Sequence, residues 1–450
     1  MHSLRAKYDL LILHKATRTV AVLRANPTQL PSVEVSNHLR PALAVTESAL
    51  STLGIQVLVL SWHARLDKAY LAIVELLSSP ETLPVKLRFL EEHEFASWLD
   101  ADTLALFSDA HGPTVARLNP YAQVGWIDTF QTLYWHAEMT EIRQLNCGNR
   151  FSLFRFSSEA RQYWFKGVGD PNTHEFALTK LLAQYAPERT APTELFIDDW
   201  NAWISKEVVG VPLREVHDIE VWSHALEDLA SIQIATQDHL RQFQQAGARS
   251  LRNLDILRCL PELMEESRVA MEAQTSSRAP RLSDGDLREL SMQITTLLNR
   301  FEDLQIPNRL IHCDLGSGNV LMGNNGATFL DWAESYIGAP VISAELLLAS
   351  AECLEPRCVT RLRENYVARL HPDLSEINRQ VVVSIMPVLG PLATAVIGWR
   401  HNQRVQRRDR FWPILRSLMR RIQCSIAEEP PGVSRFTTGA PQDIRMDHHA

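Results

Sequence analysis

An aspartate, an amide and a second aspartate, Asp314, Asn319 and Asp331, fall close together along this 450-residue chain. They sit in the run Leu310-Ile311-His312-Cys313-Asp314-Leu315-Gly316-Ser317-Gly318-Asn319-Val320-Leu321, followed by Thr328-Phe329-Leu330-Asp331-Trp332. Between the apolar positions 320–322 and 327–330, the stretch Gly323-Asn324-Asn325-Gly326 is turn chemistry, so a hairpin brings Asn319 and Asp331 close together. Hard cations such as magnesium take oxygen ligands, and one or two protein groups plus the phosphates of a substrate usually hold them. Asn319 and Asp331 suit that task, and Asp314 faces the same spot. A solvated turn before an ordinary edge hairpin is the competing reading. It leaves unexplained why apolar residues crowd both sides of the polar ones.

This pattern resembles the catalytic core of the aminoglycoside phosphotransferase and choline kinase family, which shares with protein kinases a His-x-Asp-x-x-x-x-Asn loop followed by a metal-binding aspartate. The matching residues are His312, Asp314, Asn319 and Asp331. The resemblance implies transfer of the γ-phosphoryl group of ATP to a hydroxyl of a small molecule, with Mg2+ as cofactor. By it, Asp314 is the base that orients and deprotonates the hydroxyl, Asn319 and Asp331 hold magnesium against ATP, and His312 braces the loop. The fold it implies is α+β and protein-kinase-like, with a small antiparallel-sheet lobe and a helical large lobe. Cys313 stands where relatives carry glycine or arginine and reads as a small filler, since no base or thiolate-stabilising group is evident. Downstream, Gly338-Ala339-Pro340 resembles the family's Gly-x-Pro turn, while Ser343 stands where many members have an aspartate that ties this turn down.

Other elements must position that segment. Residues 150–156 alternate polar and apolar, residues 157–160 turn, and 162–166 run back, which predicts a hairpin ending at Lys166. Asn172 is a fitting N-cap for a helix carrying Glu175, Phe176, Leu178, Leu181 and Leu182. A lysine on a strand and a glutamate early in the next helix can pair, and by the family resemblance Lys166 and Glu175 steady the ATP phosphates. Residues 202–213 read as a strand entering a Gly/Pro turn. In the family such a stretch is the hinge, whose backbone at Glu207 to Val209 meets the adenine edge. Gly148 is the one glycine placed to loosen a phosphate-covering loop, and a lone glycine proves little.

Composition bounds these readings. With 45% hydrophobic and 22% charged residues, the chain is ordinary for a globular protein of two or three domains. A formal net charge of -8 makes no general case for nucleic acid binding, and no apolar run is expected to approach the roughly 20 residues that span a bilayer. Six cysteines lack any CxxC pair or metal spacing, which suits reduced thiols in a cytoplasm. Residues 1–120 read as an α/β domain, with strands near 9–14, 19–23, 56–61 and 69–76. Positions 43–60 resemble a Nudix helix and strand, but Ser51 and Thr52 stand where that family's paired metal-binding glutamates fall. Neutral hydroxyls do not replace two carboxylates on magnesium, so a non-hydrolytic module is expected.

Residues 121–142 read as a linker and helix, the helix covering 127–142; 143–210 as the small lobe; and 211–428 as the helical large lobe, with the catalytic loop at 310–332. Long helices are expected over 220–240 and 284–304. Residues 429–450 read as a disordered tail. Arg400, Arg404, Arg407 and Arg408 are expected on one helical face, with Arg410 and His401 beside them. A solvated face is the simpler reading of this cluster; an anionic-substrate or partner site is the sharper one. Expected partners are a small hydroxylated acceptor and neither nucleic acid nor membrane. Two other classes stay open: a pseudokinase or nucleotide-binding regulatory module without transfer, and an enzyme that transfers AMP.

Overall fold

The structure is a computed structural model, which describes residues 5–36, 41–65, 70–77, 82–112, 120–148 and 151–427. The expected tail at 429–450 and the pair Asn149-Arg150 lie outside the described residues. The chain forms two compact units. One comprises the residues up to 176 together with 192–207, and the other comprises 177–191 and the chain from 208 onward.

The first unit contains two sheets. Strands β1 (Arg5–His14), β2 (Thr17–Leu23), β3 (Ser32–Ser36), β4 (Val57–Ala64), β5 (Tyr70–Leu76) and β6 (Leu87–Glu91) form a six-stranded sheet ordered β4-β5-β1-β2-β6, with β3 also paired to β1. Residues Leu10 to Leu13 of β1 are all fully buried, as a near-continuous apolar run must be when both faces are covered. Alternation along β1 divides the core. Leu10 and Ile12 join Ala42, Val45 and Leu53 on one face, while Leu11 and Leu13 join Trp126, Phe154, Phe165 and Trp200 on the other. In the Nudix-like stretch, helix Pro41–Ser48 runs through Ala49–Leu53 to Gly54, whose positive φ of 74° closes the turn. Ser51 and Thr52 are exposed hydroxyls there.

Strands β7 (Thr140–Gly148), β8 (Phe151–Ser158), β9 (Arg161–Gly167), β10 (Thr193–Ile197) and β11 (Ala202–Lys206) make the second sheet, ordered β10-β11-β9-β8-β7 and antiparallel throughout. The helix expected over 127–142 is shorter than its pattern suggests. It spans Trp126–Leu133, and the chain is extended from Thr140. Pairing overrides local preference here: β7 docks along β8, and the buried Gln144 amide both accepts from Val59 N and donates to Val59 O, each at 2.8 Å.

The second unit is mainly helical. Strands β12 (Val211–Pro212), β13 (Arg249–Leu251), β14 (Arg309–His312), β15 (Val320–Gly323), β16 (Gly326–Phe329) and β17 (Ser335–Gly338) form two small sheets, β12-β15-β16 and β13-β17-β14. Around them pack the helices Ile219–Ala235, Asn253–Glu272, Asp284–Asp303, Val341–Leu348, Pro356–Leu370, Glu376–Val405 and Arg408–Ala427. Two expectations fail in this unit. Helix Glu376–Val405 is long and apolar enough to cross a membrane by composition, with a window of mean hydropathy 2.1. Yet 78% of that window is buried in the unit, which accounts for its apolarity as a core helix. The arginines do not share one helical face either. Gln406 adopts a left-handed backbone, with φ of 53°, and ends the helix, so Arg408 begins another. Arg400 donates to Ser250 O at 3.0 Å, and Arg408 pairs with Glu266 at 3.4 Å.

Candidate functional site

In the first unit, strand β9 delivers Lys166 and helix His174–Tyr185 delivers Glu175. Lys166 Nζ donates to Glu175 Oε1 at 2.5 Å. Glu175 is 2% exposed, so its charge is compensated in a nearly dry place. Trp203, opposite Lys166 on β11, adds its ring face 5.7 Å from the ammonium. No motif in the sequence announced this tryptophan. Glu207 stands at the end of β11, its side chain held by Arg155 at 3.0 Å and its N–H donated to Gln162 O at 3.0 Å.

In the second unit, hydrogen bonds gather His312, Asp314 and Asn319 into one loop. Asp314 N–H donates to His312 Nδ1 at 3.2 Å, and the imidazole meets Leu330 O through Nε2 at 3.0 Å. An acceptor at Nδ1 and a donor at Nε2 define the neutral Nε2–H tautomer of this fully buried ring. His312 thereby ties the loop's start to the residue before Asp331, and the Trp332 ring packs 4.8 Å from it. Asn319 Nδ2 donates to Asp314 O at 2.9 Å, and Leu330 N donates to Asn319 O at 2.9 Å. Asp314 and Asp331 are exposed, and Asn319 is half-buried.

The hairpin β15–β16 forms as its turn residues require, with Val320 opposite Phe329 and Gly323 opposite Gly326. Two residues without a sequence signal lock it from outside. Asp228 Oδ2 accepts from Ala327 N at 2.7 Å and its Oδ1 pairs with Arg189 at 2.8 Å, while Arg189 also donates to Asn325 O at 2.6 Å. Burial pushes the Asp228 carboxyl up from its ordinary value despite these donors. Gly326, at φ of 106°, has no room for a side chain, because a Cβ there would lie 2.5 Å from Asp228 Oδ2. Val209 is 89% exposed, and its carbonyl lies against Gly323, so close that a Cβ there would come within 2.9 Å. Asp331 has a left-handed backbone (φ 63°, ψ 63°), a conformation an aspartate tolerates and one that is commonly kept where function needs it.

Ser343, which stands where many family members have an aspartate on the Gly-x-Pro turn, bonds instead to the strand that enters the loop. Its buried Oγ accepts the His312 N–H at 2.8 Å, so the loop is tied at one point by a neutral hydroxyl. Burial, with Glu334 and Asp314 nearby, pushes the Cys313 thiol well up, which suits a filler and not a nucleophile. Among the described residues no group of three or more His, Cys, Asp or Glu side chains could cage a metal. The donor set still fits magnesium bound together with phosphates. Because Asn319 donates through Nδ2, its Oδ1 is the atom left to a cation, and Asp331 adds a carboxylate.

Residues 155–376 match the model of the phosphotransferase enzyme family. A choline kinase from Streptococcus pneumoniae is 14% identical, with TM-score 0.42, covering 67% of this chain and 97% of its own. An ethanolamine kinase from Plasmodium vivax is 13% identical, with TM-score 0.45, covering 75% and 96%. A GDP complex of a mutant aminoglycoside 2′-phosphotransferase IIIa is 14% identical, with TM-score 0.48, covering 66% and 96%. No curated protein matches the chain.

Proposed function

We propose, from the match of residues 155–376 to the model of the phosphotransferase enzyme family, that the chain transfers the γ-phosphoryl group of ATP to a hydroxyl of a small molecule, with magnesium as cofactor. The observation that carries this reading is the loop in which His312 fixes the Asp314 backbone while Asp314 O fixes the Asn319 amide. It holds the base and a metal ligand in one rigid piece and leaves the Asp314 carboxylate exposed to an acceptor.

The roles are those the family resemblance implies, and the bonds described above are compatible with them. Asp314 accepts the proton of the acceptor hydroxyl and aims its oxygen. Lys166, held by Glu175, neutralises phosphate charge on the nucleotide. The Glu207 N–H is already engaged by Gln162, so Glu207 offers its carbonyl to the adenine edge, and Val209 offers its amide. Asn319 Oδ1 and the Asp331 carboxylate are the magnesium ligands; when bound, the ion offsets charge developing on the transferred group. Phosphoryl transfer is mostly positioning plus electrostatic stabilisation, so these few groups suffice. The test is Asp314→Ala, which is expected to abolish turnover and to keep ATP affinity. Undiminished turnover in that variant would sink the assignment.

A further inference from the structure

We propose that the acceptor carries an anionic group, carboxylate or phosphate, which Arg214 and Arg249 read at the two ends of the catalytic loop; this rests on the phosphotransferase reading above. Apart from the buried and hydrogen-bonded His312, residues 312–319 contain no basic side chain. Both arginines come from elsewhere in the second unit. Arg214 follows β12 and lies across Gly318, so that a Cβ at that glycine would meet its Nη1 at 3.4 Å. Its side chain is 61% exposed, and the nearest acid, Glu215, is 3.8 Å away. The missing side chain at residue 318, next in sequence to Asn319, thus gives a guanidinium its place against the loop.

Arg249 stands at the other end. The carbonyl of Glu334 accepts the Cys313 N–H at 2.8 Å, next to Asp314, and the Glu334 carboxylate accepts from Arg249 Nη1 at 3.4 Å. Tyr336, opposite both Arg249 and Ile311 in the sheet, receives Nη1 at 2.9 Å and lays its ring 5.4 Å under the guanidinium. One nitrogen is therefore fixed by buried partners, while 36% of the side chain stays exposed. A guanidinium fixed on one side and open on the other is suited to two-pronged binding of a carboxylate or phosphate.

The acids point the same way. A cationic acceptor held by an ion pair needs a carboxylate to itself, and Glu215, 58% exposed, already has Arg214 at 3.8 Å. Asp314 and Asp331 already serve the proton and the metal, and Glu334 is 5% exposed and bound to Arg249 and Tyr336. An anionic acceptor finds two donors in place and needs no acid beyond Asp314.

The experiment offers the full chain, with ATP and magnesium, two carbon skeletons in three charge forms each: glycerate, glycerol and serinol, and gluconate, glucose and glucosamine. ATP binding is measured separately by calorimetry. The acid form of at least one skeleton is expected to be phosphorylated in preference to its neutral and amine forms. In Arg214→Gln, the KM for that acid should rise about tenfold or more while the KM for ATP holds. Arg249→Gln should do the same, and Arg214→Lys should recover part of the loss. Because Arg249 touches buried groups and its variant could fold poorly, the exposed Arg214 carries the decision. Preference for the neutral or amine form, no transfer to any form while ATP binds, or an acid KM unmoved in Arg214→Gln would each overturn the proposal. Failure to bind ATP at all would instead bring down the phosphotransferase reading, and this inference with it.

Discussion

The Lys166–Glu175 pair and the His312–Asn319 loop solve opposite problems. In the first unit a charge is held by a counter-charge, with the Glu175 side chain 3% exposed and that of Lys166 17% exposed. In the second, Asp314 and Asp331 stay exposed, and backbone bonds plus one buried neutral imidazole set the geometry. Burying an ion pair makes it costly to break, so the first arrangement is tied to stability. Exposed carboxylates lie in a well-screened place, so changing one is expected to cost less folding free energy than breaking the buried pair. The comparison predicts that substitutions in the two places separate stability from rate.

The largest effects come from testing that separation directly. Asp314→Ala is expected to abolish detectable turnover, a fall of at least about 10²–10⁴-fold, and to leave the unfolding free energy within about 0.5 kcal/mol. Glu175→Gln removes the counter-charge of Lys166 and is expected to destabilise the protein by about 3–5 kcal/mol, read from urea unfolding. If the two variants lost stability equally, the contrast would be broken.

A second buried glutamate sharpens the point within the first unit. Glu75, 3% exposed, accepts from Gly125 N at 2.9 Å and has no salt bridge among the described residues. Burial pushes its carboxyl from 4.5 up to about 7; the Gly125 N–H opposes that shift, nearby Asp128 adds to it and Lys15 opposes it. The folded state therefore binds more protons than the unfolded chain between those values, so stability falls as pH rises from 4.5 to about 7 and is level above. The fall is at most about 3 kcal/mol, and Glu75→Gln should flatten it. Denaturation midpoints across that window decide the matter, and a wild-type curve that rises with pH would contradict the assignment.

The smallest effect is at Ser343→Ala, which leaves the buried His312 N–H without its acceptor. About 1–3 kcal/mol of stability should be lost, with turnover falling because the loop loses an anchor. A variant indistinguishable from wild type would mean that the His312–Leu330 tie alone holds the loop.

Much of this was legible because the chemistry is local. The loop from His312 to Asn319, the hairpin to Asp331 and the strand ending in Lys166 each lie within a short stretch of chain, where spacing and turn residues speak for themselves. What escaped was set by distant partners. Arg189 and Asp228 reach the hairpin across more than ninety residues of sequence, and Ser343 reaches His312 from the next helix. Residues from Thr140 carry a pattern compatible with a helix until β8 offers them an edge. The Arg400–Arg410 cluster looked like one face because nothing in a glutamine announces the left-handed turn that Gln406 takes. The uncharged stretch 381–399 was likewise underread, since only the packing of the second unit shows that it is core.

The central claim is transfer of a phosphoryl group with Asp314 as base, and phosphorus NMR of the full chain with ATP, magnesium and an acceptor it turns over tests it most directly. ADP and a new phosphate monoester should appear together and in equal amount, and neither should form in Asp314→Ala. Release of pyrophosphate with AMP attached to the acceptor, or monoester formation undiminished in Asp314→Ala, would contradict it.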